Sequence, residues 1–296
     1  MAHKKVKLTD AWSLRRDELL ADGYTQDTRK LSRENTHPRD QYIFFREADH
    51  KYILSRPNTA EQTMLSSSTF VKQFFEPFEE DVVIKRMMSS LHWNKSRYYR
   101  MTADQIKAQW EENRDLGTVM HDSIERYLND ETLPASETST VEFQQFLDFE
   151  LEWLRPLHVD VYRTEWRVYD EGRGLCGTLD WICVYQTQPD PKVLSMMLLD
   201  HKRCLEIKVK EKRYKGLGCC ADVYANNYYK YGLALNLYKY ILEKHYHNVM
   251  YKGKTYARLR VHDMYLNVMH PAHSGYQVFQ IPDMGKKLEE MFVEKN

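Results

Sequence analysis

Residues 174–185 read GLCGTLDWICVY and residues 193–202 read VLSMMLLDHK. Both are apolar runs of strand length. The second is apolar almost without interruption, as a strand covered on both faces must be. Each run carries one acid where an acid is costly: Asp180 interrupts the first and Asp200 closes the second. An ionised carboxylate left unpaired in such surroundings is expensive to bury. Lys202 follows Asp200 by two residues, so on a strand the two side chains share a face. Two readings fit this much. One is a buried ion pair, Asp200 with Lys202 or Asp180 with Arg203. The other is a hard-cation site at neighbouring strand ends, because Mg2+ takes one or two carboxylates together with water and phosphate oxygens.

Working outward, the alternating run over 159–169 predicts another strand just upstream. Thr102 is placed to cap a helix with Ile106, Gln109, Trp110 and Asn113 on one face. Gly117 is expected to break it, with a new helix following to about residue 130. A further helix is expected over 140–154, with Val141, Phe146, Phe149 and Trp153 along one side. Residues 66–69 supply caps for a helix carrying Phe70, Val71, Phe74 and Phe75, and Pro77 ends it or starts the next, which runs to about Met88. The runs 42–45 and 52–54 suggest a hairpin. Downstream, an aromatic helix over 226–246 precedes strands at 259–268 and 277–281 and a charged C-terminal helix. Residues 1–40 are polar and read as an extension or loosely attached arm, with one short helix in WSLRRDELLADG. The order of helices, three strands, helix and strands predicts one α/β domain over 41–296. Its helical part lies at about 66–155, and its mixed central β-sheet, flanked by helices, at about 156–282.

Basic and acidic residues balance at 43 each. That argues mildly against a protein coated in nucleic acid, although the distribution of charge matters more than its sum. No apolar run approaches the roughly 18 residues of a membrane span, and the N-terminus has no apolar stretch of a secretory signal. No membrane partner is therefore expected, and the chain reads as intracellular and non-secreted. The KKVK run at 4–7 is either a nuclear import patch or an ordinary basic cluster. The five cysteines are odd in number and lack C-x-x-C spacing, which suggests reduced thiols.

In this order of elements the chain resembles the PD-(D/E)XK nucleases, especially the RecB-type and lambda-exonuclease-like branch. Those proteins carry, in sequence, a helix with Gly-x-x-x-His and a following acid, a strand with Glu, a strand with Gly-x-x-Asp, a strand with (D/E)-x-K, and a helix with Gln-x-x-x-Tyr. Here the matching residues are Gly117 and His121 with Glu125 a turn later, then Glu165, Gly177 and Asp180, Asp200 and Lys202, and Tyr238 in the aromatic helix. The upstream stretch from Phe45 to Tyr52 is similar to the leader of viral and phage members. The resemblance implies a restriction-endonuclease-like core with an added N-terminal helical region. It implies hydrolysis of DNA phosphodiester bonds with Mg2+ or Mn2+, by an exonuclease acting in end processing, recombination or replication. The partner would be DNA, single-stranded or at duplex ends, with the nucleus or a viral replication site as the place of action. Asp180 and Asp200 would be metal ligands, joined by His121 and the backbone carbonyl of His201; the imidazole widens the choice toward Mn2+. Glu165 would support the attacking water or a second metal, and Lys202 would orient that water or help deprotonate it. Glu125 would position His121 or a basic residue, and Tyr238 would buttress Lys202 or contact DNA.

One position departs from the pattern: Ala234 stands where the glutamine is expected. That leaves open a second function, a nucleic-acid-binding module with weak or no cleavage. A third is an enzyme using an acidic metal site on some other substrate. Lambda-type relatives form rings, so an oligomer is possible, but nothing in the sequence marks an interface. After Lys202 comes a basic loop with Arg203, Lys208, Lys210, Lys212, Arg213 and Lys215, opposed only by Glu206 and Glu211. It reads either as a phosphate-binding surface or as an ordinary solvated loop. Lys85, Arg86, Lys95, Arg97 and Arg100, interleaved with Trp93, Tyr98 and Tyr99, would either grip a single strand or form a surface with aromatic feet in the core.

Overall fold

A computed structural model describes residues 8–210 and 214–295. In chain order its elements are α1 (Leu8–Ala21), α2 (Lys30–Glu34), β1 (Ile43–Arg46), β2 (Lys51–Leu54), β3 (Gln62–Ser66), α3 (Ser67–Lys72), α4 (Glu80–Met88) and α5 (Ala103–Leu128). Then follow α6 (Ala135–Thr138), α7 (Val141–Asp148, continued by a π turn to Leu154), β4 (Val159–Asp170), β5 (Leu175–Tyr185) and β6 (Val193–Arg203). The chain ends with α8 (Asn227–His245), β7 (Val249–Tyr251), β8 (Lys254–Tyr256), β9 (Arg258–Met269), β10 (Gln277–Gln280) and α9 (Gly285–Lys295).

Helix starts follow local chemistry. The side chains of Ser66, Thr140 and Asn226 each accept a hydrogen bond from the backbone N–H three residues on, and Thr102 and Gln105 cap α5 reciprocally. Gly117 does not end this helix, contrary to the sequence expectation. A glycine inside a helix costs about 1 kcal/mol relative to alanine, and α5 is held on both sides of it by buried Ile106, Met120 and Ile124.

The sheet is mixed. β1, β2 and β3 run antiparallel in sequence, and β3 pairs parallel with the start of β5 at Leu65–Leu175 and Ser66–Cys176. β6 pairs antiparallel with the other end of β5, from Trp181–Leu199 to Val184–Met196. β9 lies parallel to β6 with β10 beyond it, and β4 runs antiparallel to β5. Two different strands thus flank β5 at its two ends, and between them residues 177–180 pair with neither. The sheet forks there.

One core layer packs β4, β5, β6 and β9 against α3, α8 and α9. A second packs Met120 and Ile124 of α5 and Phe143 and Phe146 of α7 against Trp181, Met197 and Leu199. The architecture is α/β, a mixed sheet flanked by helices. Among the described residues, no helix is long and apolar enough to cross a membrane.

The N-terminal segment corrects a second expectation: from residue 12 it is part of the fold rather than a loose arm. Leu19 and Tyr24 are buried with Phe44 and Ile53. The Asn35 side chain donates to the Tyr162 carbonyl, and Arg163 of β4 reaches Asp27 and Asp40. These anchors are single apolar residues and paired charges, not a periodic stripe. The KKVK run lies outside the described residues.

Candidate metal centre

Strand register assembles the site. The β5–β6 ladder stops at Trp181–Leu199, so Asp180 and Asp200 come next to each other where the strands part. On the other side, Thr164 pairs with Trp181 and Trp166 with Leu179, which sets Glu165 opposite Asp180. Three carboxylates thus form a row across three strands. The Asp180 Oδ2 atom accepts a hydrogen bond from the His201 backbone N–H at 3.0 Å. Helix α5 brings His121, whose Nδ1 lies 3.3 Å from the same oxygen. Lys202 Nζ is 2.7 Å from Asp200 Oδ2 and 3.9 Å from Asp180 Oδ2. The Lys202 ammonium thus sits directly against the buried Oδ2 of Asp200. One ligand atom from each of His121, Glu165 and Asp180 falls within 4.8 Å of the others. Glu165 has a left-handed backbone, φ +45°. For a residue with a side chain that conformation costs about 1–3 kcal/mol, and it persists where the surroundings over-determine it.

The electrostatics are those of crowded like charge. Burial, then Asp180 and Glu125, hold the Glu165 carboxyl well above the usual range. Burial also raises Asp180, and burial outweighs Lys202 to push Asp200 up to about 6. Burial and Lys202 push His121 down to about 4. Burial works against the Lys202 ammonium, but Asp200 and Asp180 together raise its pKa, so it stays cationic. Glu125 is pushed up to about 7 by burial, against the pull of Arg29, whose Nη1 lies 2.9 Å from Oε2.

Around the row, each supporting residue has a traceable position. The His201 ring points into the core between Phe146, Phe149 and Trp181 and lies edge-on to the His121 ring, while its backbone N–H meets Asp180. That backbone also hydrogen-bonds His121 in the sense that favours the imidazolium, which is how a carbonyl acts. Tyr238 lies against Gly177: a Cβ there would come within 2.6 Å of Tyr238 Cε1 and 2.7 Å of its hydroxyl. The glycine of Gly-x-x-Asp is therefore what lets α8 press its tyrosine into the fork. Tyr231 carries no signal in the sequence beyond standing seven residues, two helical turns, before Tyr238. Its ring centroid is 5.0 Å from Lys202 Nζ, a cation–π distance. Tyr231 thus contacts the lysine, where Ala234 offers only a methyl group.

The row opens into a cleft of about 910 Å3, also lined by Phe78, Arg97, Trp110 and Arg114. Arg203 lines it too, but its guanidinium is committed to Glu142 Oε1 at 2.6 Å and Asn113 Oδ1 at 2.8 Å. Lys208, Lys210 and Lys215 are exposed and do not line the cleft. Lys212 and Arg213 lie outside the described residues.

The donor set is one imidazole, clustered carboxylates and a backbone carbonyl. It fits a hard divalent cation such as Mg2+ or Mn2+. No protein-family model matches the chain, and no curated protein matches it in sequence.

Proposed function

We propose that this protein is a metal-dependent deoxyribonuclease with a restriction-endonuclease-like core, acting as an exonuclease on DNA ends in recombination or replication. The observation that carries the reading is the row Glu165–Asp180–Asp200, set opposite one another by strand register and flanked by Lys202 and His121. Asp180, Asp200, Glu165 and His121, with the His201 carbonyl, would hold Mg2+ or Mn2+. When bound, the ion supplies positive charge to the scissile phosphate and acidifies the attacking water. The chain's own groups account for the rest. Lys202, cationic between two carboxylates, donates to a phosphate oxygen and stabilises the charge that develops there. Glu165, whose raised pKa makes its carboxylate the stronger base once the cation has displaced its proton, takes the proton of the attacking water. Tyr231 and Tyr238 hold Lys202 and β5 in place from α8.

A binding module without cleavage is the second reading, and it draws on Ala234. The Tyr231 contact weakens it, because the lysine is packed without a glutamine. Digestion of linear and circular DNA, labelled at either end, with Mg2+ or Mn2+ tests the proposal. Wild type should degrade linear DNA and spare circles, and Asp180→Asn or Lys202→Ala should slow cleavage by at least about a hundredfold. Binding without product in either metal would support the module; cleavage unchanged in both variants would exclude this site.

A further inference from the structure

Opposite the row, the cleft has an aromatic wall. Phe78, in the loop before α4, is 65% exposed. Its ring lies 5.7 Å from that of Trp110 on α5, tilted by 48°. Trp110 is fixed from behind, its Nε1 donating to the Tyr98 hydroxyl at 2.8 Å. Tyr98 is buried with Ile84 and Ile106, and it also hydrogen-bonds Arg97. A large ring left in water on a cleft wall, backed by a second ring that is rigidly held, is unfinished apolar surface. Its neighbours on the same wall are cationic. Arg97 lines the cleft, and so does Arg114, whose pair with Glu80 at 3.1 Å leaves its side chain 60% exposed. Such a surface pair is worth little and gives way to a better partner.

We infer that Phe78, supported by Trp110, is a stacking shelf for an unpaired base next to the phosphate that sits over the row, with Arg97 and Arg114 taking the adjoining phosphates. The occupant is single-stranded DNA or the frayed strand of an end. A flat aromatic face flanked by arginines matches a π-faced base on an anionic backbone, whereas an intact duplex keeps its internal base faces covered. The inference rests on the proposed function for the identity of the substrate, but stacking is read without cleavage.

The test measures binding of a short single-stranded oligonucleotide, and of the same oligonucleotide with one abasic site moved along it, to Lys202→Ala protein with Mg2+. One abasic position should weaken binding by about tenfold. Phe78→Ala should weaken binding of the intact oligonucleotide by a similar factor and erase the abasic effect, while Phe78→Tyr should retain both. Phe78 is exposed, so the substitution should leave the fold intact, and a melting curve checks that. The shelf is overturned if no abasic position matters, if Phe78→Ala weakens intact and abasic strands alike, or if a blunt hairpin duplex binds as tightly as the single strand. Cleavage by wild type together with any of these results refutes the shelf and leaves the nuclease reading standing. Base-dependent binding by a wild type that never cleaves refutes the nuclease reading and keeps the shelf.

Discussion

Two charged residues two apart on β4 are treated in opposite ways. Arg163 is fully buried, and the chain brings acids to it: Asp40 Oδ2 at 2.7 Å and Asp27 Oδ2 at 3.3 Å, with the Asn35 carbonyl at 3.2 Å. Asp40 is itself completed by the Trp166 indole N–H and the His37 backbone N–H. Glu165 receives the reverse. Burial, Asp180 and Glu125 together outweigh Arg167 and Lys202 and raise its pKa. A structural charge is neutralised by the fold. A set of like charges gathered on paired strands, with a strained backbone beneath one of them, is what the proposed cation would neutralise.

Breaking the paired cluster should have the larger effect on stability. Asp40→Ala leaves Arg163 buried with the longer contact to Asp27 as its one ion pair, beside the Asn35 carbonyl, and should cost about 3–5 kcal/mol in denaturant unfolding. A loss under about 1 kcal/mol would mean that the N-terminal segment is not the anchor described here.

Relieving the unsatisfied row should do the opposite. Glu165 has a folded pKa above its ordinary 4.5, so the protonated carboxyl contributes stability that is fully present below 4.5 and is lost as pH rises through the raised value. Glu165→Gln removes that slope. The metal-free variant should be more stable than wild type at alkaline pH, with the gap closing in acid, while cleavage is lost. Equal stability across the pH range would show that Glu165 is compensated in a way these contacts do not reveal.

The two regions also differ in how legible they were. Asp200 and Lys202 could be placed on one face from their spacing alone, because a strand repeats every two residues, and their 2.7 Å contact bears out that placement. The three strands and the aromatic helix were readable from apolar runs and caps. The pairing of Glu165 with Asp180 was not, because it depends on register between strands and on the irregularity near Val161–Arg163. Tyr231 was hidden among five other tyrosines of residues 226–246, and only its position relative to Lys202 singles it out. Packing of residues 12–40 was invisible for a related reason: Leu19, Arg29 and Asp40 act through partners far away in sequence, and none repeats with a period. Gly117 misled because a local helix breaker was outweighed by burial on both sides of it.

The central claim is that the crowded row is a cation site, and the most direct measurement is Mn2+ titration by electron paramagnetic resonance, comparing wild type with Asp180→Asn. Wild type should take up Mn2+ stoichiometrically at neutral pH, with affinity falling as pH drops through about 6, where Asp200 regains its proton. Asp180→Asn should weaken uptake by more than about tenfold. No uptake by wild type, or uptake unchanged in Asp180→Asn, would contradict the account.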